Sequence, residues 1–388
     1  MENRQRPSFG RKFKLAHLII VAVVVMIITA AATYLLTTGG LGSQQYFQDA
    51  KDLVEIEKII DENYIGDVSH ETLYNAAATA MVRSIDDKWS YYMSQEEYAA
   101  YKLSAANEYA GIGVSIKLTD KGEFEIMSVD EGTPAADAGL SVGDKIVSVD
   151  GESTEGLTTV ELQELIRSKL NKNFPLGIEN EKGDLSTVTL SCEVIYKNPI
   201  SSQMLQDDIG YIKIANFEAG CSESTIGAIE KLTAEGAKSF IFDVRDNPGG
   251  LVSELVSLLD YLLPDGDLFV SVDKAGKETV KSSDKICLSA KMAVLVNENS
   301  YSAAEFFAAA LQEYDWATIV GAHTTGKARS QVTIELDNGG AVHISTHKYL
   351  TPKRVDLADA GGIKPDIEVN NTDTEPKAQL NAAIKALS

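Results

Sequence analysis

The chain has 388 residues, 44% hydrophobic and 24% charged, and a formal net charge of −22. That length and apolar content suit two domains, or one large domain carrying an inserted module. So acidic a chain excludes nucleic acid as a partner, because phosphate binding needs clustered Lys and Arg.

The first 14 residues reverse the sign, with Arg4, Arg6, Arg11, Lys12 and Lys14 against Glu2 alone. Residues 15–37, LAHLIIVAVVVMIITAAATYLLT, then run without a formal charge, long enough to cross a hydrocarbon core as a helix. Five bases before the span place the N-terminus in the cytoplasm and the rest of the chain on the far side. A cleaved signal peptide is the other reading, with Ala30-Ala31-Ala32 as the small-residue cleavage site. The run continues through Tyr34, Leu35 and Leu36, and that length favours an uncleaved anchor. The expectation is a single-pass protein of the cell membrane, with 1–14 as a cytoplasmic tail, 15–37 as a transmembrane anchor and an extracytoplasmic body.

After a Gly/Ser/Gln linker, residues 46–105 read as an N-terminal helical region. Leu53, Ile56, Ile59 and Ile60 recur at helical spacing, and so do Leu73, Ala76, Ala77, Ala80 and Met81. Ser94 is an N-cap for Gln95-Glu96-Glu97. Trp89, Tyr91, Tyr92 and Tyr98 form an aromatic cluster that reads as packing, with no chemistry assigned.

Residues 106–195 change texture to short apolar runs broken by Gly, Asp and Pro. GIGVSIKL, FEIMSV, KIVSVDG and STVTLSCEVI read as strands, with helices at 133–138 and 158–170. The turn through Gly111, Ile112, Gly113 and Val114 leads straight into a strand. Successive backbone N–H groups there can hold a peptide carboxylate, and the strand edge can pair with the peptide. On its own, a tight turn accounts for the glycines equally well.

From residue 196 to 388, buried strands alternate with helices, which argues for an α/β domain with parallel strands. Ligands collect at loops leaving the carboxyl ends of such strands. Three stand out, at 245–250, 298–302 and 322–327. Ser302 lies where a strand gives way to a helix, so it is either a routine N-cap or a nucleophile with Ala303 N–H as an oxyanion donor. In Asn247-Pro248-Gly249-Gly250 the paired glycines allow close backbone approach, as the other half of an oxyanion hole or as a plain turn. Lys327 follows Gly326; a lysine in apolar surroundings loses its proton more readily and can take one from a hydroxyl. Gln331, four residues on, is placed to orient that amine.

Two other readings fail on the residues. Gly321 to Lys327 fits the GxxxxGK half of a phosphate loop, but Ala328 stands where Ser or Thr must bind Mg²⁺, and a strand follows. His343 and His347 on one strand are about 13 Å apart, too far to share a metal, so no metal or other cofactor is expected. His323 is the one candidate for a Ser-His pair. Cys192, Cys221 and Cys287 have no metal-binding spacing and read as small buried apolar residues.

Taken together, the segments GIG at 111–113, GTPAADAGLSVGDKIVSVDG at 132–151, DVRDNPGGLV at 243–252, NENSYSAAEFFAAALQEY at 297–314, VGAHTTGK at 320–327 with Gln331, and GGIKPDIEV at 361–369 resemble the C-terminal processing peptidases. These are the tail-specific Ser/Lys serine peptidases with an inserted PDZ domain. The resemblance implies Ser302 as nucleophile, Lys327 as general base, Gln331 as its positioner, and Gly249 or Gly250 with Ala303 as the oxyanion hole. It implies a PDZ domain at 106–195 that feeds substrate C-termini, held at Gly111 to Val114, to a peptidase core at 196–388. The implied partners are proteins or peptides with accessible C-terminal tails, and a homo-oligomer is compatible with it. The chain departs from the family pattern at Asn299, Tyr301 and Ala304 beside the serine, and at Thr325 and Ala328 beside the lysine. A membrane-anchored peptide-binding scaffold without catalysis is the alternative function.

Overall fold

The structure is a computed structural model that describes residues 19–30, 33, 43–284, 287–372 and 375–387. The span expected at 15–37 therefore lies largely outside the described residues; its 19–30 portion is helical and exposed. Among the described residues no helix is long and apolar enough to cross a membrane.

The chain divides into two compact units, Met1–Met81 and Val82–Ser388. The first holds α1 (Ser43–Asn63) and most of α2 (His70–Arg83). Ser69 Oγ accepts Thr72 N–H at 3.1 Å ahead of α2, and Glu71 in its first turn suits the helix dipole. The stripe of Leu53, Ile56 and Ile59 on α1 is formed as the spacing predicts but stays exposed.

The second unit opens with β1 (Tyr91–Met93) and α3 (Gln95–Ala105). Ser94 Oγ accepts Glu97 N–H while the Glu97 carboxylate accepts Ser94 N–H, a reciprocal cap that fixes where α3 starts. Then come β2 (Glu108–Gly111), β3 (Val114–Leu118), β4 (Phe124–Val129), α4 (Pro134–Asp137), β5 (Lys145–Val149), β6 (Glu152–Ser153), α5 (Thr159–Arg167), β7 (Asn173–Glu179), β8 (Leu185–Ser191) and β9 (Glu193–Tyr196). Strands β3, β4, β5, β7 and β8 form one antiparallel sheet in that order, with β6 attached to β5. Phe124, Ile126, Ile146, Leu162, Ile166 and Leu176 fill the module's own core. The run 186–195, expected as one strand, splits at Cys192 because β9 leaves the sheet to pair with β2.

The rest builds two sheets from β10 (Ile200–Leu205), β11 (Ile209–Ile214), α6 (Cys221–Ala234), β12 (Ser239–Asp243), α7 (Val252–Leu262), β13 (Gly266–Val272), β14 (Glu278–Ser283), β15 (Lys291–Val296), α8 (Ala303–Glu313), β16 (Ala317–Gly321), β17 (Arg329–Glu335), β18 (Ala341–Leu350), α9 (Leu357–Ala360), β19 (Ile367–Glu368) and α10 (Ala378–Leu387). The first sheet runs β10-β11-β12-β15-β16-β19 and is parallel from β11 onward. Alternate side chains serve its two faces. Phe240, Phe242, Met292 and Val294 join the core that includes Leu255, Leu258, Phe306 and Phe307 of α7 and α8. Ile241, Ala293, Leu295 and Val320 pack with Ala383 and Leu387 of α10. Helices on both faces explain why SFIFDV and MAVLVN read as unbroken apolar runs.

In the second sheet the order is β1-β18-β13-β14, with β17 also on β18. Tyr91, Tyr92 and Met93 pair with His343, Val342 and Ala341. The region 46–105 is therefore not helical throughout. Its residues 91–93 form an edge strand of a sheet whose other strands lie beyond residue 265.

Candidate active site

Strands β12, β15 and β16 are consecutive parallel neighbours, so the loops after them leave at one end of the sheet. Side chains lace these loops together. Asp246 Oδ1 accepts the Nδ2 groups of Asn297 and Asn299, each at 2.9 Å. Ser300, fully buried, donates its hydroxyl to Val244 O at 2.7 Å. Asn247, also fully buried, donates Nδ2 to Ile214 O at 2.8 Å and accepts Tyr301 N–H on its carbonyl at 3.2 Å. Thr325 Oγ1 donates to Glu298 O at 2.7 Å and so joins the third loop to the second.

Ser302 sits at the N-cap of α8 with φ 57 and ψ −125, a conformation costly for any residue with a Cβ. Such strain at a strand-to-helix turn presents a side chain outward, ahead of the helix N-terminus. Ala303 is the first helical residue, so its N–H has no intrahelical acceptor.

Glu305, three residues into the turn, is fully buried. Its Oε2 accepts the N–H of Ser302 at 3.0 Å and of Lys327 at 2.8 Å, and its Oε1 accepts Gly326 N–H and Thr324 Oγ1–H, each at 2.6 Å. Glu305 is not among the candidates the sequence offered, although Ser302-x-x-Glu305 has the capping-box spacing that marks it. One carboxylate thus fixes the backbones of the nucleophile and base candidates to each other.

Gly249 lies against Ser302: a Cβ built on it would come within 2.7 Å of Ser302 Cβ and 2.9 Å of Ala303 N, and its φ of +91 is itself closed to most side chains. Its N–H is taken by Asn247 Oδ1 at 2.8 Å. Gly250 bridges in parallel to Phe217, a pairing that uses Gly249 O and Leu251 N–H and turns the N–H of Gly250 to the other side.

Lys327 is half-buried, and burial pulls its proton affinity below the ordinary lysine value, against the charges of Asp87 and Glu305, which raise it. Its Nζ lies 4.3 Å from the centre of the Trp89 ring and 5.9 Å from that of Tyr301. Trp89, read from sequence as packing, thus faces a candidate catalytic group, delivered there by the pairing of β1 with β18. Next to Trp89, Asp87 accepts Ser90 Oγ–H at 2.5 Å and Trp89 N–H at 3.1 Å. Burial works to raise the Asp87 carboxyl, but hydrogen bonds from Ser345, Ser90 and Trp89, with the Lys327 charge, hold it below the usual range.

Among the described residues Gln331 makes no hydrogen bond to Lys327. A register shift between Ser330 and Gln331 places Gln331 opposite Ser345, to whose Oγ it donates at 3.0 Å, with a second bond to Arg329 O at 2.9 Å. Ser345, which also hydrogen-bonds Asp87, connects it to the lysine's surroundings. His323 is exposed and bonds the carbonyl of its neighbour Thr324 at 3.3 Å, with no hydrogen bond to Ser302 among the described residues. Glu218, beside Gly250, is pushed up to about 7 by burial first and Glu254 second, with the Lys327 charge opposing.

In the β-rich module Gly111, Ile112 and Val114 line a cavity of about 740 Å³, together with Ile166 and Arg167 of α5. Gly113 is packed tightly instead, since a Cβ on it would fall 2.1 Å from Thr133 Oγ1. The cavity continues to Asn107 and Asn216 at the module's root. Asn107 donates Nδ2 to Ala219 O and accepts Asn216 Nδ2 on Oδ1, each at 2.8 Å, so the module is tied to the loop that leads into α6.

A profile of peptidase family S41 matches residues 208–369, and a PDZ-domain profile matches residues 125–180. The carboxy-terminal processing protease CtpA of Bacillus subtilis is 31% identical over 327 residues, which are 83% of this chain and 69% of that one. The carboxyl-terminal-processing protease of Synechocystis is 30% identical over 299 residues, 75% and 69% of the two chains. A solved S41-type chain from Bacteroides fragilis shares the fold at a TM-score of 0.54 and 18% identity, over 84% of this chain and 92% of that one. The reading as a non-catalytic scaffold is set aside, and the chain belongs to the carboxy-terminal processing proteases, serine peptidases of family S41 that carry a PDZ domain.

Proposed function

We propose that Ser302 is the nucleophile and Lys327 the general base of a peptidase that cuts proteins near their C-terminal tails. The Glu305 carboxylate carries this reading, because it holds the Ser302 and Lys327 backbones in fixed relation. The Lys327 amine, made easier to deprotonate by burial, takes the hydroxyl proton as Ser302 Oγ attacks the scissile carbonyl. The oxyanion develops between the N–H groups of Ala303 and Gly250, while Gly249 supplies close approach with its own N–H already engaged. The protonated amine then gives its proton to the leaving nitrogen. Water, deprotonated by the same lysine, opens the Ser302 ester and restores the enzyme. The part of Gln331 is indirect, through Ser345.

The PDZ domain captures a free C-terminal carboxylate at Gly111, Ile112, Gly113 and Val114, and Arg167 adds positive charge to the same cavity. The uncharged run at 15–37 tethers the enzyme to the cell membrane with its body outside the cytoplasm. Its substrates are extracytoplasmic proteins with accessible tails.

The test uses wild-type, S302A and K327A protein with an unstructured polypeptide whose C-terminus is free or amidated, read by intact mass. Both variants lose cleavage by at least ~10³-fold, and amidation raises KM for the wild type. Cleavage retained by K327A rejects the base assignment. An active-site serine probe that still labels S302A rejects the nucleophile.

A further inference from the structure

Trp89 and Lys327 are 238 positions apart in the sequence, yet the Nζ of one lies 4.3 Å from the ring centre of the other. Tyr301, next to the serine, has its ring 6.1 Å from that of Trp89 and 5.9 Å from the same Nζ. The two rings come from separate loops and converge on one amine. Trp89 is held from both sides: its N–H binds Asp87, and Ser90 donates to Asp87 while accepting Ser345 N–H at 3.0 Å. Among the described residues the Lys327 amine has no hydrogen-bond acceptor, so the aromatic faces define its immediate surroundings.

We propose that Trp89 is a positioning residue for Lys327, its indole face holding the amine in place and, with Tyr301, shielding it from water. The proposal rests on the reading of Lys327 as general base. Two effects of the indole oppose each other. The ring face attracts the ammonium form, whereas exclusion of water disfavours it. Burial is the largest influence on Lys327 and leaves its proton affinity below normal, and the indole, 4.3 Å from Nζ, is part of what buries it. The charged and titratable groups that face the amine are Asp87 and Lys88 beside Trp89, Glu218 from the loop before α6, Glu305 of α8 and His343 of β18. Lys88 also presents its Nζ to the Trp89 ring, at 4.5 Å from the centre. The family resemblance assigned the lysine a glutamine partner and gave the aromatic segment no role.

The chain has two tryptophans, so replacing Trp316 by Phe leaves Trp89 as the sole indole reporter. Fluorescence of W316F protein is titrated from pH 6 to 11. The expected result is a transition whose midpoint matches the acid limb of kcat/KM and which disappears when K327M is added. A titration without that transition, or one unchanged by K327M, overturns the proposal. In the second arm, the acid limb of kcat/KM is measured for W89A and W89F, with melting curves to verify folding. W89A moves the limb to higher pH by at least ~0.5 unit as water reaches the amine, and W89F restores most of the wild-type position. A folded W89A with an unmoved limb also overturns it. A fluorescence transition that depends on Lys327 but is offset from the acid limb keeps the contact and removes Lys327 from the role of base.

Discussion

The backbone N–H groups of Ser302 and Lys327 converge on one atom, Oε2 of Glu305, at 3.0 and 2.8 Å. The other oxygen takes Gly326 N–H and the Thr324 hydroxyl. A fully buried carboxylate with four donors is a structural joint, and its loss strands every one of them. E305A therefore destabilises the fold by about 3 kcal/mol and lowers kcat by at least ~10². E305Q does not rescue it, because its amide NH₂ turns donors against donors. Chemical denaturation and turnover assays check the two effects separately.

Lys327 is expected to work against stability. Its proton affinity in the fold is below the ordinary 10.5, so the protonated form that prevails in the unfolded chain is disfavoured in the native one. The sign follows from linkage. The cost is full below the folded value, shrinks as pH rises from there toward 10.5, and vanishes above it. K327M accordingly melts at or above the wild-type temperature at pH 7 while cleavage is lost. Melting curves at pH 7 and pH 11 should show the gap closing.

Glu218 behaves in the opposite direction. Its carboxyl is raised from 4.5 to about 7, by burial and by the neighbouring Glu254. Its stabilising contribution is whole below pH 4.5 and is lost as pH rises through about 7. E218Q, which cannot ionise, should match the wild type at pH 4.5 and exceed its melting temperature at pH 8. Equal melting temperatures at pH 8 would contradict this.

Gly249 offers a sharper steric test. Alanine there brings a methyl to 2.7 Å from Ser302 Cβ and 2.9 Å from Ala303 N, at a φ of +91. G249A should lower kcat by ~10² or more with a smaller change in KM, because the displaced atoms belong to the proposed nucleophile and the proposed oxyanion donor. Gly122 also has positive φ, but a Cβ there meets nothing within 4 Å, so G122A serves as a control for strain alone.

Much of this arrangement was legible in the sequence, for local reasons. The parallel core announced itself because strands buried on both faces leave continuous apolar runs, and Ser302 and Lys327 stood at loops that such a sheet must collect at one end. The cap of α3 at Ser94 followed from spacing alone. Spacing from Lys327 did not show that the Gln331 amide is engaged by Arg329 O and by Ser345, which a register shift that skips Thr346 on β18 sets opposite it. Trp89 was unreadable for a different reason. Its role depends on β1 finding β18 across more than 240 residues, and a three-residue strand between helices carries no sign of its partner. Asn299, Tyr301 and Thr325, departures from the family pattern, prove to be contacts that bind the loops or face the lysine.

Because β1 precedes the PDZ domain in the chain while its partner strand follows it, the boundary between recognition and catalysis does not coincide with any single cut. A fragment that begins after residue 195 keeps Ser302, Lys327 and Glu305 but leaves β18 with a bare edge where Tyr91–Met93 belonged. It also leaves the amine without its indole wall. The segment ahead of the PDZ domain thus supplies both a strand and a side chain to the half of the molecule that follows that domain.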